Sequence, residues 1–147
     1  MNGGDVNGTA FGTSLHSGNF QAVFGPDLDI GSLTQSVATT PGASYTVGFF
    51  LANTTPLASF SVSWGGSTIF SLTNQSAFGY TEYTFTETAS TASTELTFQF
   101  FDATNAWLLD DVSVNPAGVG VPDGGSTVSL LGCALLGLAA LRPKLSC

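Results

Sequence analysis

SFSVSWGGSTIFSL, residues 59–72, carries the clearest two-residue hydrophobic alternation of the chain. Phe60, Val62 and Trp64 alternate with serines, so at a period of two residues they share one face of a strand and the serines take the other. Gly65-Gly66 then reads as a two-residue hairpin turn, because such turns demand positive φ that glycine adopts without steric cost. Ser67 to Leu72 returns as the partner strand.

The same alternation recurs outward along the chain. Asn19 to Gly25 sets Phe20, Ala22 and Phe24 on one face, and Ser32 to Thr39 sets Leu33 and Val37 on one face with Gln35 between them. Pro41-Gly42 predicts a type II turn, with proline at its second position and glycine at its third. Ser44 to Ala52 is apolar on both faces near its end, as a central strand would be, with Tyr45, Val47, Phe49 and Leu51 as the inner face. Tyr80 to Thr88 offers Tyr83 and Phe85, and Thr94 to Phe101 offers Leu96, Phe98 and Phe100. Trp107 to Val114 closes the set, with Leu108, Asp110, Val112 and Val114 read onto one side.

Before residue 121 no segment has a helical period. Eight short antiparallel strands between turn signals imply an all-β protein, a two-sheet sandwich spanning 1–114. Phe49, Phe60, Val62, Phe85, Phe98 and Val112 are the residues expected between the sheets. Residues 115–120, rich in Pro and Gly, read as a linker to a tail at 121–147.

That tail begins with Val121, Pro122, Asp123, Gly124 and Gly125, continues with an uncharged run from Ser126 to Leu141, and carries Arg142 and Lys144, the 2 basic residues of the chain. As a helix, 126–141 would span roughly 24 Å, slightly short of a ~30 Å hydrocarbon core, and snorkelling of Arg142 and Lys144 brings it close to a span. The basic end would lie in the cytoplasm and residues 1–120 outside. A helix that is apolar all round fits a buried core element poorly. A GPI signal would need a polar spacer of about 8–12 residues that is missing here.

Composition narrows the function classes. Of 10 acidic residues, all but Asp123 precede the tail, and no Lys or Arg there offsets them. Such a surface repels phosphate backbones and excludes nucleic acid as a partner, while leaving carboxylates for divalent cations. Cys133 lies in the apolar run and Cys147 at the end, so no disulfide staples the sandwich. MNGGDVNGTAFG has neither a basic n-region nor an apolar h-region, so the reading expects an export signal lost from the N-terminus.

Motif, apolar run and basic end, in that order, resemble the PEP-CTERM class of bacterial sorting signals, and Val121-Pro122-Asp123-Gly124-Gly125 is similar to its VPDSG-CTERM variant. The resemblance implies an exported protein handled by an exosortase-type enzyme and passed to the cell surface or an exopolysaccharide matrix. The alternative is a membrane-anchored adhesin whose tail is never cut. The basic cluster is thinner than usual in this class, and Pro143 interrupts it.

A second resemblance covers residues 16–114. His16-Ser17-Gly18-Asn19-Phe20, Leu33-Thr34-Gln35-Ser36-Val37, Pro41-Gly42-Ala43-Ser44-Tyr45 and Leu109-Asp110-Asp111-Val112-Ser113-Val114 resemble pieces of the galactose-binding-like jelly rolls, including carbohydrate-binding modules of the CBM4/9 type. The opening Gly-Phe-Glu strand and following Trp of such domains have no match in residues 1–15, and a missing strand would leave an unpaired sheet edge. The resemblance implies a structural Ca²⁺ site at Asp110 and Asp111, whose partner glutamate is absent here. Aromatic faces suit the apolar faces of pyranose rings, so Trp64, Trp107, Tyr80 and Tyr83 are weighed as a sugar-stacking platform; Tyr80 and Trp107 are the candidates, with Trp64 more consistent with the core. His16, the one histidine, reads as an exposed polar loop residue. With no nucleophile–base pair visible, catalysis by a carboxylate pair is the less favoured alternative to binding.

Overall fold

The computed structural model describes residues 14–25, 27–54, 56–104 and 106–118. The expected apolar helix at 126–141, the sorting motif and the basic pair all lie outside them. Among the described residues there is no helix, and hence none long and apolar enough to cross a membrane.

Eight strands run in order as β1 (Ala22–Phe24), β2 (Asp27–Ala38), β3 (Ser44–Asn53), β4 (Ala58–Trp64), β5 (Ser67–Thr73), β6 (Phe78–Thr88), β7 (Ser93–Asp102) and β8 (Trp107–Pro116). They form two four-stranded antiparallel sheets, ordered β1-β8-β3-β6 and β2-β7-β4-β5. The chain divides after Ala117. β8 thus takes the first two residues of the expected linker.

The turns form for the reasons their residues supply. Gly65 and Gly66 have φ of 56° and 85°, the two positive values of a type I′ hairpin. At Pro41-Gly42, Gly42 has φ 80° and the Ala43 N–H donates to the Thr40 carbonyl at 3.0 Å, closing the turn. Phe49, 1% exposed, sits centrally in the core, with the rings of Phe60, Phe70, Tyr83, Phe85 and Phe98 between 5.5 and 6.3 Å away. Separations in this range bring aromatic pairs into favourable tilted, stacked and edge contacts. At Gly31 the backbone needs an absent side chain: the ring of Phe100 lies where a Cβ would be, and stacks on Phe24 at 4.0 Å.

Two expectations are corrected. The segment Asn19–Gly25 is strand only over Ala22–Phe24, and Phe20 is 65% exposed in the preceding turn rather than on the inner face. The larger correction concerns β8. Opposite the single residue Phe49 of β3, β8 places two residues, Asp111 and Val112: Gly48 pairs with Ser113 and Phe50 with Asp110. Asp111 takes φ 48° to make this bulge. One extra residue inverts the parity, so Trp107 and Leu109 face the core on one side of the bulge and Val114 on the other. Leu108 and Asp110 are thereby turned to the outer face, and Leu108 packs there with Val23, Ala52 and Tyr80. Val112, expected in the core, is 43% exposed. It lines a groove of about 280 Å³ with Leu33, Gln35 and Phe98 between β2 and β8, because β1 pairs with β8 only as far as Leu109.

Candidate functional site

The bulge sets up the first polar cluster. Asp110 is 7% exposed, and its carboxylate accepts three backbone donors. The N–H groups of His16 and Ser17 reach Oδ2 at 3.1 and 3.3 Å, and that of Asp111 reaches Oδ1 at 2.8 Å. Asp111 binds the same turn with its side chain: the Ser17 hydroxyl donates to Oδ1 at 2.6 Å, and His16 Nδ1 lies 2.7 Å from Oδ2. For that contact to be a hydrogen bond Nδ1 carries the proton. The Ser17 bond, and after it the His16 bond, hold the Asp111 carboxyl below the usual carboxylate range.

His16 is therefore not a free loop residue. Its ring stacks on Phe50 at 3.5 Å and meets Tyr80 edge-on at 5.6 Å. No sequence pattern announces this, since Asp111 lies 95 residues away and Phe50 and Tyr80 are also distant in sequence. Tyr80 stands on β6, half-buried, and its hydroxyl donates to Gln21 Oε1. Burial first, and then the charges of Asp110 and Asp111, push its phenol up to about 12.

Trp107 is corrected outright. It is 0% exposed, with Phe60 at 5.2 Å and its Nε1–H donating to the Phe101 carbonyl at 3.2 Å, so no face is left for a sugar to stack on. Trp64 is buried as well.

The metal expectation is tested by donor chemistry. Ca²⁺ takes 6–8 oxygen ligands with lone pairs turned toward it. At Asp110 and Asp111 all four carboxylate oxygens already accept N–H or O–H groups, each of which takes up a lone pair that a cation would need. Among the described residues no group of three or more acidic, His or Cys side chains converges. The pair as built does not fit a calcium site.

A second polar feature escaped sequence reasoning, although the alternation of SFSVSW already placed serines on an outer face. On the outside of the β2-β7-β4-β5 sheet, Ser32 stands opposite Gln99, Gln99 opposite Ser61, and Ser61 opposite Ser71. The next row is Thr34, Thr97, Ser63 and Thr68, in which the Thr34 and Thr97 hydroxyls bond at 3.0 Å. Residues directly opposite share a face, so two uncharged polar rows cross all four strands over roughly 14 Å. A depression of about 230 Å³ lies on the first row, lined by Ser59, Ser61, Ser71, Thr73 and Gln99 with Ile30 at its side.

These features can be set beside known proteins. The VPDSG-CTERM motif family matches residues 120–145. The tail is a VPDSG-CTERM motif. No curated protein matches the chain. Among solved structures, the fold is similar to TmCBM61 in complex with β-1,4-galactotriose, at TM-score 0.51 and 18% identity over 69% of this chain and 73% of that one. It is also similar to the enzymatically active domain of bacteriophage CBA120 tailspike protein 4, at 0.52 and 16% over 67% of this chain and 16% of that one. A CBM4 structure matches at 0.44 and 22%, over 58% of this chain and 60% of that one. This chain thus spans less than two thirds of the CBM4 chain and a small part of the tailspike domain. The chain thus carries a VPDSG-CTERM motif at residues 120–145, and the sandwich that precedes it is similar in fold to TmCBM61.

Proposed function

We propose that this chain is a non-catalytic surface protein whose sandwich binds a neutral polysaccharide and whose tail is processed by an exosortase-type enzyme. The observation that carries the binding reading is the pair of uncharged rows crossing the β2-β7-β4-β5 sheet. Hydroxyl and amide groups both donate and accept, which suits the hydroxyls of a neutral sugar, and Ile30 offers an apolar edge to a pyranose face. An acidic glycan is disfavoured, because the chain carries a net charge of −8 and no Lys or Arg before Arg142. The exopolysaccharide of the cell's own matrix is the ligand such a location supplies.

The polar cluster at β8 favours binding over catalysis. Ser17 donates its hydroxyl to the Asp111 carboxylate, whose pKa is held low, rather than to the His16 imidazole, so its acceptor is too weak a base to generate a nucleophile.

Two measurements test the reading. Mass spectrometry of protein released from the cell surface should find chains ending near Asp123; chains retaining 126–147 would instead support the uncut anchor. Affinity electrophoresis through neutral and uronate-containing polysaccharides should retard the protein only in the neutral gels. Equal mobility in every gel would remove the binding reading, and released reducing ends would replace it with catalysis.

A further inference from the structure

The Asp110–Asp111 pair is occupied, but by the chain itself. Five donors converge on two adjacent carboxylates: the backbone N–H groups of His16, Ser17 and Asp111, the Ser17 hydroxyl and the His16 ring. We propose that this cluster is a metal-free clasp, in which the His16–Ser17 turn takes the place of a divalent cation and fastens the segment before β1 to the outer face of the β1-β8-β3-β6 sheet.

Three features of the geometry support this reading. A cation entering between the carboxylates would have to expel donors, and two of them are backbone N–H groups, of His16 and Ser17, that bond Asp110 Oδ2 in a part-buried place. Losing such a partner in a part-buried place is costly. The His16 ring cannot easily swing clear, because Phe50 lies flat against it at 3.5 Å and Tyr80 closes one side. The bulge is matched to the task as well. Asp111 at φ 48° brings consecutive carboxylates to bear on one turn, where a regular strand would send them to opposite faces.

The clasp therefore predicts folding independent of calcium. Thermal unfolding of the full chain, followed by circular dichroism, is compared in excess EDTA and in millimolar calcium. A native calcium site filled at a hundred times its Kd would raise Tm by roughly 10–20 °C. The expected result is a difference of no more than about 1 °C. Hydrogen exchange read at His16 and Ser17 should show both amides protected in EDTA, with protection unchanged by calcium. Ser17→Ala and His16→Ala should each lower Tm by a few degrees, equally with and without calcium, and should speed exchange at this turn. A calcium-dependent rise in Tm, or amides protected only when calcium is present, would overturn the proposal. Calcium indifference with no effect of either substitution would overturn it too, because the carboxylates would then be fastening nothing.

Discussion

Trp107 separates the two readings of this chain most sharply, because a stacking platform and a core residue respond oppositely to truncation. In the sandwich its side chain is wholly buried, packs against Phe60 and Phe78 and donates to the Phe101 carbonyl. Trp107→Ala removes a buried aromatic surface of about 150–250 Å², worth roughly 4–6 kcal/mol at 25 cal/mol per Å² as an upper bound. Measured truncations of buried aromatics cost about 3–5 kcal/mol, and loss of the indole hydrogen bond to the Phe101 carbonyl adds to it. Against a typical stability of about 5–15 kcal/mol, the variant keeps a fraction of its reserve. Urea unfolding followed by far-ultraviolet circular dichroism should show the midpoint falling steeply with an unchanged slope. Trp107→Phe should lose about 1–2 kcal/mol, mainly the indole hydrogen bond and a small void. If Trp107→Ala unfolds within about 0.5 kcal/mol of the parent and loses only glycan affinity, the burial argument fails and the residue is a platform after all.

Other consequences follow from the same geometry. Gly31→Val places methyl groups where the Phe100 ring lies, and should cost about 1–3 kcal/mol in chemical denaturation by driving that ring off Phe24; full stability would mean the ring does not sit there. Asp111 has its carboxyl held low by Ser17 and His16, so its contribution is present above the ordinary carboxylate pKa and is lost as pH falls through the lower folded value. An acid melt should therefore show Ser17→Ala losing less stability than the parent between neutral pH and pH ~3; identical curves would contradict the bond. Tyr80 is shifted the other way. Its contribution is complete below pH ~10 and lost as pH rises toward about 12. Absorbance at alkaline pH should show a late phenolate component that Tyr80→Phe removes.

How far the sequence could be read depended on how local the determinants were. β4, its Gly-Gly turn and β5 are specified within fourteen residues, and the Pro41-Gly42 turn within four, so strand number and most inner faces were legible. Phe49, Phe60, Val62 and Phe98 lie in the core as their alternation requires, and Phe85 packs against it. The faces of β8 were not legible. Alternation assumes one residue per pleat, and the extra residue at Asp111–Val112 is stabilised by a turn some ninety positions upstream. From that single insertion came the misplacing of Val112 and the outward reading of Trp107. His16 was undervalued for the same reason, since its partners Phe50, Tyr80 and Asp111 are distant in sequence. The polar rows were visible strand by strand as outward serines and threonines. Their alignment into continuous tracks needs the register, which no single strand encodes.

Binding of a neutral glycan on those rows is open to calorimetric titration. The full chain and its Gln99→Ala, Ser61→Ala double variant are each titrated with a neutral β-linked oligosaccharide. The parent should bind saturably and the variant with at least a tenfold weaker Kd, about 1.4 kcal/mol, with Tm unchanged. Equal affinity in both proteins would place the ligand elsewhere, and a flat titration of the parent against every neutral glycan offered would contradict the claim itself.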